Sequence, residues 1–370
     1  MMQPAGVPLT TEILTQQGWK SADEVQRGDY TLGFNCKSEV TEWTPIRRVL
    51  HHSATPVRRI GNGGWHADVS GAQPWWSETR RKVPVPRDSL CPVCDRLFTS
   101  PRGYQVHMTK MHGSVRASTG FHYVGELVRT SELHSENRLR LSAPADTAAK
   151  RALSLVDAQL IAWLWGDGSL RAAERVGAYD GSIFQSKEVQ IEKLRALLKD
   201  VPHSEFSRQR KEGHLRAHHF RLRRAYVTDL VERSGIALTT PEMFVLGLSP
   251  DQRTAWLDAM IDAEGHRMPG KEANWSEYIR IVQVNGPIQD AIRLAAFLHG
   301  YRPTFSANSA EKMGFKPAGA VGLAQPFIAP SMFTINDVIG YEEVWSVETT
   351  LGTWVGRQGT HLMLLGSPLP

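Results

Sequence analysis

Two similar apolar stretches end in an acid followed by glycine: Leu160-Ile-Ala-Trp-Leu-Trp-Gly-Asp167-Gly168 and Leu257-Asp-Ala-Met-Ile-Asp-Ala-Glu264-Gly265. Both read as helices. At 3.6 residues per turn, Ala162 and Gly166 share one face of the first, and Ala259 and Ala263 the same face of the second. Small side chains there let two helix backbones approach closely, which would set Asp167 beside Glu264. Gly168 and Gly265 would then let the chain leave each helix through a left-handed conformation. Two adjacent carboxylates can share or bridge hard divalent cations, Mg²⁺ above all. One such acid alone reads equally well as a solvated helix end; two in the same register favour the metal-binding reading.

A second set of candidate ligands is Cys91-Pro-Val-Cys94, then twelve residues, His107, four more, and His112, which suits one tetrahedral Zn²⁺. Phe98 and Tyr104 fall where a two-Cys two-His zinc finger keeps its small core. The positions of its helix that would face bases are Ser100, Gly103 and Val106, none able to grip a base with two hydrogen bonds, so the segment reads as a phosphate anchor through Arg102 and Lys110. Cys36 stands alone and reads as a small buried residue. A third feature is the basic stretch between His203 and Tyr226, with Arg208, Arg210, Lys211, Arg216, Arg221, Arg223 and Arg224 against Glu205 and Glu212. In Phe220-Arg-Leu-Arg223 the alternation of a strand would point Arg221 and Arg223 to one face, suited to a nucleic-acid groove. A solvated strand edge is the plain alternative.

The chain has to position these groups with 370 residues, enough for two or three domains. With 43 Lys and Arg against 38 Asp and Glu it is mildly basic, which is compatible with nucleic acid. Three cysteines, two of them in one motif, argue against a disulfide framework. No apolar run approaches the ~20 residues of a membrane span, and Met1–Leu9 lacks the pattern of a secretion signal. The expected setting is the cytoplasm, or the nucleus in a eukaryote, with no membrane partner. From Leu9 to Asn35, and on to Val69, the sequence reads as short strands and turns. Arg80–Arg87 reads as a linker, and Phe121–Leu141 returns to strands. Helices alternate with strands from Val156, and Val344–Leu365 is β-like again after a seam at Thr334–Gly340. Both ends would then form one domain with the middle inserted.

The motif pair resembles the LAGLIDADG homing endonucleases over roughly Val156 to Ile335. The likeness extends downstream, where Gly181–Gln185 leads into a helical Val189–Leu198 and Tyr278–Gln283 into a helical Ile288–Leu298. It implies that Asp167 and Glu264 bind the catalytic Mg²⁺, that Gln185 and Gln283 sit near the cleaved phosphates, and that Arg223 stands where the family often has a catalytic lysine. The outer segments, Leu9–Asn35, Trp65–Trp76 and Val344–Gly359, resemble an intein or Hint domain. Self-splicing needs a nucleophile, a His and a final Asn, and by spacing those positions fall on Gly6, Gln73 and Ser367, which cannot do that chemistry. The combination of intein-like shell, LAGLIDADG domain and zinc-binding sequence is similar to the mating-type switching endonucleases.

The expectation is therefore an α+β protein. A β-rich, horseshoe-like Hint domain would comprise 1–87, 117–147 and 338–370, with a ββα finger at 88–116. A two-repeat LAGLIDADG α/β domain with saddle-shaped DNA-binding sheets would occupy 148–337. The expected function is site-specific, metal-dependent double-strand cleavage of DNA at a long site, by a monomer with no obligate protein partner and a splicing-inactive shell. An RNA maturase and a non-catalytic DNA-binding protein are the alternatives. Retention of both acids favours the enzyme, and an intein-like shell, mobilised as DNA, favours DNA over RNA.

Overall fold

Alternating apolar residues at the two ends of the chain make complementary strands, and they pair with each other. Thr334–Thr349 runs antiparallel to Val40–Asn62, with Trp345 opposite His51 and Val347 opposite Val49. The computed structural model describes residues 3–62, 64–82, 89–91, 93–111, 121–174, 177–208, 216–268, 278–307 and 317–369. The long ribbon belongs to a sheet ordered Val7–Pro8, Thr334–Thr349, Val40–Asn62, Tyr30–Asn35, Glu12–Thr15, Thr353–Gln358, His361–Gly366; Gly18–Lys20 and Trp65–Ser70 pair at its sides. A second sheet joins Phe121–Arg129, Pro74–Lys82, Asn137–Arg140 and Phe327–Ile328. Trp65, Trp75, Trp345 and Trp354 are fully buried among the aliphatic residues of this shell.

Two expected seams fall inside strands. Arg80–Lys82, read as linker, continues the strand from Pro74 and pairs with Phe121–Tyr123. The return to the shell, expected at residue 338, comes earlier: Phe327–Ile328 already pairs with Leu139–Arg140, and Thr334–Gly340 lies within the strand that runs to Thr349. Cys36 is exposed beside the Tyr30–Asn35 strand, not buried.

The inserted part consists of two copies of one arrangement. The first copy has the helix Leu155–Trp165, strands Gly168–Ala172 and Tyr179–Gln185, the helix Glu188–Leu197, strands His203–Arg208 and Ala217–Leu222, and the helix Arg224–Ser234. In the second, the helix Pro250–Glu264 leads to strands Gly265–Met268 and Tyr278–Val284, the helix Pro287–Leu298, and strands Arg302–Ala307 and Ala318–Ala324. Each copy's sheet is ordered first, second, fourth, third, and the registers agree: Gly168 faces Ile183, and Gly265 faces Ile281. Both leading helices start at serine capping boxes, Ser154 with Asp157 and Ser249 with Gln252, the second reinforced by Pro250 in its first turn.

Shell and insert share a core. Leu14, Leu32, Phe34, Val355, Leu362 and Leu364 of the shell belong to the same buried cluster as the leading helices. The connecting segment is pinned on both sides, Thr41 N–H donating to Pro144 O (2.7 Å) and Ala145 N–H to Leu298 O (2.8 Å). Beneath it the buried Arg253 guanidinium donates to Ala145 O and Thr147 Oγ1. Glu242 spans the junction, accepting from Trp19 Nε1 (2.9 Å) and Arg357 (3.0 Å) of the shell. Among the described residues no helix is long and apolar enough to cross a membrane.

One group in this fold carries an acid sensitivity. The His361 ring packs against His66 with centroids 4.2 Å apart, and its Nδ1 is buried without a partner. Burial, reinforced by His66, Arg293 and Arg59, pushes His361 down to about 4. Below the unfolded histidine value of about 6.5, the unfolded chain takes up a proton that the folded chain refuses. Stability therefore falls between pH ~6.5 and ~4, by at most ~1.4 kcal/mol per pH unit from this group. Urea unfolding of His361→Gln across that range is expected to show a shallower acid loss than the unsubstituted chain; parallel curves would refute the assignment.

Candidate functional site

The two leading helices lie against each other where their small residues fall. A Cβ built on Gly166 would sit 2.8 Å from Ala263 Cβ and 3.3 Å from Glu264 Cγ, so the first helix ends directly against the last turn of the second. Ala162, Ala259 and Ala263 are buried. Trp165, at the end of the first helix, packs edge-on against Phe244 and Trp256. The first acid stands just beyond its helix: Gly166 is the C-cap, its N–H donating to Ala162 O, and Asp167 follows.

The glycines after the acids serve a purpose other than the expected one. Gly265 is extended (φ −93°, ψ 163°), and neither Gly168 nor Gly265 has positive φ. What they supply is room. A Cβ at Gly168 would lie 2.7 Å from Leu164 Cα, and one at Gly265 2.4 Å from Ile261 O, so each chain doubles back tightly over its own helix.

Asp167 is held from two sides. Its carbonyl accepts the N–H of Phe184 (2.8 Å), and its Oδ2 accepts Gln185 Nε2 (2.8 Å). Gln185 is itself fixed, its Oε1 accepting the N–H groups of Ser186 and Lys187. Burial raises the Asp167 carboxyl against the opposing effects of Gln185 and Lys187. Burial also raises Glu264, the Asp167 charge raises it further, and Lys187 opposes both. Two half-buried carboxylates thus stand together with a repulsion that an added positive charge would relieve.

The other expected residues divide. Gln283 holds the register position of Gln185, two residues beyond the strand residue facing the motif glycine, yet its Oε1 accepts only its own neighbour's N–H, that of Val284. Arg221 lies in the sheet opposite Ser182 and Ser204. Arg223 does not share its ladder: pairing ends at Leu222, and Arg223 is the N-cap of the next helix, its N–H donating to Pro202 O. Arg224 is paired with Asp180 at 2.9 Å. Arg216 is exposed, Arg208 ends its strand, and Arg210 and Lys211 lie outside the described residues. On the face of the first sheet away from the core, Arg171, Ser182, Phe184, Phe206, His219 and Arg221 line a groove of about 690 Å³. Arg171 and the aromatic trio were not foreseen, because they become neighbours only through strand pairing. Lys187 was passed over for the same reason.

Cys91, Cys94 and His107 bring their ligand atoms within 4.8 Å of one another, with Cys94 Sγ 3.2 Å from His107 Nε2. His112 lies outside the described residues. Phe98 packs on Tyr104 and on the His107 ring, and Met108 is buried against Cys91. Burial alone would raise the Cys91 thiol, but N–H groups of Val93 and Cys94 outweigh it and bring the thiol below its usual range, a donor set suited to zinc. Arg102 and Lys110 are exposed on the helix that follows. In the shell, Gly6, Gln73 and Ser367 are close: Gly6 and Ser70 exchange hydrogen bonds, Gln73 N–H donates to Ser70 O, and Gln73 Nε2 donates to Gly366 O (2.8 Å).

No protein-family model matches the chain, and no curated protein matches it. Solved structures similar to it include I-DmoI in complex with DNA and Mn, at 17% identity over 46% of this chain and 89% of that one, with a TM-score of 0.30. The complex of I-DmoI with DNA and Ca is similar at 17% identity over 46% and 83%, with a TM-score of 0.31. Full-length DUF199/WhiA from Thermatoga maritima is similar at 10% identity over 46% and 51%, with a TM-score of 0.32.

The helix contact is open to a direct test. Gly166→Ala places a methyl carbon 2.8 Å from Ala263 Cβ, an overlap expected to cost roughly 1–3 kcal/mol in urea unfolding. Adding Ala263→Gly to the same chain should recover part of that loss, since the two changes share one contact. A neutral Gly166→Ala, or strictly additive effects, would contradict the packing.

Proposed function

We propose that this chain is a metal-dependent DNA endonuclease of the LAGLIDADG type, making double-strand breaks at a long site, with an intein-like shell that no longer splices. One observation carries the reading: two half-buried carboxylates, Asp167 and Glu264, meet at adjoining ends of two matched helices, each leading into a sheet with an outward face. A helix pair that served stability alone would not retain mutually repelling acids in this place.

Asp167 and Glu264 would hold Mg²⁺, which supplies a water of lowered pKa and a counter-charge to the phosphate leaving oxygen. Gln185 orients Asp167 through its 2.8 Å bond and is itself fixed by two backbone N–H groups. Arg171 and Arg221 on the first sheet, with the exposed Arg216, would supply phosphate contacts, and Arg208, Arg210 and Lys211 are proposed to add to them; Arg224, already paired with Asp180, would contribute less. Gln283 and Arg223 are assigned no role in the reaction.

In the finger, Cys91, Cys94 and His107, with His112, would hold one Zn²⁺, and Arg102 and Lys110 would add phosphate contacts that do not discriminate between sequences. The shell's own atoms support the splicing-inactive reading. A side chain at Gly6 would meet Trp345 O and Val344 Cγ2, both at 2.9 Å, and the Gln73 amide is committed to Pro74 O and Gly366 O. Ser367 Oγ accepts the N–H of Thr349 and has no amide with which to cyclise.

Asp167→Asn and Glu264→Gln preserve size and remove the charge that a metal needs. Each is expected to lower double-strand cutting by about a hundredfold or more in Mg²⁺, while duplex affinity in a gel-shift assay changes little. A variant still cutting within about tenfold of the parent, a loss of only ~1.4 kcal/mol in the barrier, would defeat the assignment. For the finger, elemental analysis is expected to give one zinc per chain, lost in Cys91→Ala/Cys94→Ala. That variant should bind all duplexes more weakly and keep the same base preferences; altered preferences would show base reading by the finger instead.

A further inference from the structure

The second sheet of the shell, made of Phe121–Arg129, Pro74–Lys82, Asn137–Arg140 and Phe327–Ile328, has one face in the core, where Trp75, Leu139 and Ile328 are fully buried. Strand alternation sends their neighbours Trp76, Glu78, Arg138, Arg140 and Phe327 to the other face. There, with Tyr123 and Gly125 of the first strand and Phe34 of the larger sheet, they line a groove of about 550 Å³. The groove is built from residues that take no part in the proposed cleavage.

Rings and guanidiniums alternate along it. Arg138 Cζ lies 3.3 Å from the Tyr123 ring centre and 3.9 Å from that of Phe327. Arg140 Cζ follows, 4.4 Å from Phe327 and 4.7 Å from Phe34, and the Phe34 ring meets Trp76 edge-on at 5.2 Å. Gly125, Glu78 and Arg138 form one rung across three strands. A Cβ at Gly125 would lie 2.5 Å from Trp76 Cζ2, so the missing side chain is what lets the indole lie over that strand. Beneath the rings the buried Glu78 serves both cations, its Oε2 accepting Arg138 Nε and Nη2 and its Oε1 accepting Arg140 Nε. Nη1 of Arg138 makes no hydrogen bond among the described residues. The ladder is also open to solvent at the rings, with Tyr123 47% exposed and Trp76 half-buried.

We propose that this groove of the shell binds unpaired nucleotides, a base stacking on Tyr123 and Trp76 and the adjoining phosphate taking the spare Nη1 donor of Arg138. Aromatic rings beside a fixed guanidinium are the parts that hold a nucleobase without regard to its identity. The rings and the cation are already held in place by Glu78 and Phe327, so little ordering is lost when a ligand enters. A duplex keeps its base faces stacked on one another and cannot offer them to a ring, so the ligand is unpaired. Glu39 stands at the rim, and with it the lining holds two acids against two cations. Stacking, not net charge, therefore supplies the affinity, and salt weakens it only slightly. The site needs no nuclease chemistry and stands whether or not Asp167 and Glu264 cut DNA.

The test is fluorescence anisotropy of a labelled oligothymidylate of about ten nucleotides with the full chain, in EDTA so that no strand is cut. Saturable binding is expected, weakening only about threefold on a fourfold rise in salt, the loss for a single phosphate contact. A strand of the same length without bases should bind at least about tenfold more weakly, and so should the oligothymidylate to Tyr123→Ala, while Tyr123→Phe keeps the parent affinity. Displacement by thymidine monophosphate would support a single-nucleotide ligand, and displacement by oligothymidylate alone a stretch of single strand. In the unsubstituted protein, a strand carrying iodouracil should crosslink under light to a peptide containing Tyr123 or Trp76, a readout that does not depend on how any variant folds. No binding, equal binding of the baseless strand, unchanged affinity in Tyr123→Ala, or crosslinks confined to other peptides would each overturn the stacking site. The nuclease reading would be untouched by any of these results, since it is tested by Asp167→Asn and Glu264→Gln on duplex DNA.

Discussion

The structure turns on one close approach, that of Gly166 to Ala263. Because a glycine and an alanine meet there, the two leading helices touch at their ends without side chains between them, and the acids that follow are forced to the same place. Larger residues at those positions would push the helices apart and separate the carboxylates, so the packing and the electrostatics are one constraint. The cost is visible in both acids, each raised by burial and Glu264 further by its neighbour. Capping boxes at the far ends and Arg253 under the connecting segment supply favourable interactions away from the strained end. A stable frame around an unfavourable charge pair is what the proposed cation site would require.

That frame extends into the shell. Leu14, Leu32, Phe34, Val355, Leu362 and Leu364 complete the core on which the leading helices rest, and Glu242 bonds across the junction to Trp19 and Arg357. The burial of Glu242 raises its carboxyl, an expense offset by the Arg357 charge and the indole N–H. Whatever its chemistry, the shell would be costly to lose, because removing it would uncover the insert's apolar surface. Continued packing, independent of any chemistry, is a sufficient physical reason for such a domain to persist.

What was legible in the sequence was whatever depends on local periodicity. The two helices and their small faces follow from 3.6-residue spacing, and the grouping of Cys91, Cys94 and His107 from fixed offsets along one short segment. Features that depend on strand pairing were not legible. Arg223 alternates correctly with Arg221 on paper, but the ladder stops at Leu222 and a helix begins. The seam sought at Thr334–Gly340 is hidden inside a strand because its partner lies nearly three hundred residues earlier, in Val40–Asn62. Gly168 and Gly265 looked like left-handed exits because acid-glycine at a helix end usually is one; the close return of the chain over Leu164 and Ile261 is a tertiary fact. Lys187 is unremarkable in sequence and acquires meaning only when Gln185 connects it to Asp167.

The place of the Cys91–His107 segment in the chain follows from the same logic of pairing. Pro74–Lys82 and Phe121–Arg129 form one antiparallel ribbon, Lys82 opposite Phe121 at its far end and Pro74 opposite Arg129 at the end nearest the shell core. The ligand-bearing segment is therefore an insertion at the tip of a hairpin, where added chain disturbs the fewest contacts. At the base, Trp75 Nε1 donates to Thr130 Oγ1, and Arg138 is stacked between Tyr123 and Phe327 while bonded to Glu78. These contacts stiffen the ribbon's root. Under the proposed reading, a phosphate anchor inserted here would raise the local concentration of DNA without competing with the sheets for the choice of sequence. The proposed division of labour fits a segment that offers Ser100, Gly103 and Val106 where a finger would face bases and that exposes the cations Arg102 and Lys110.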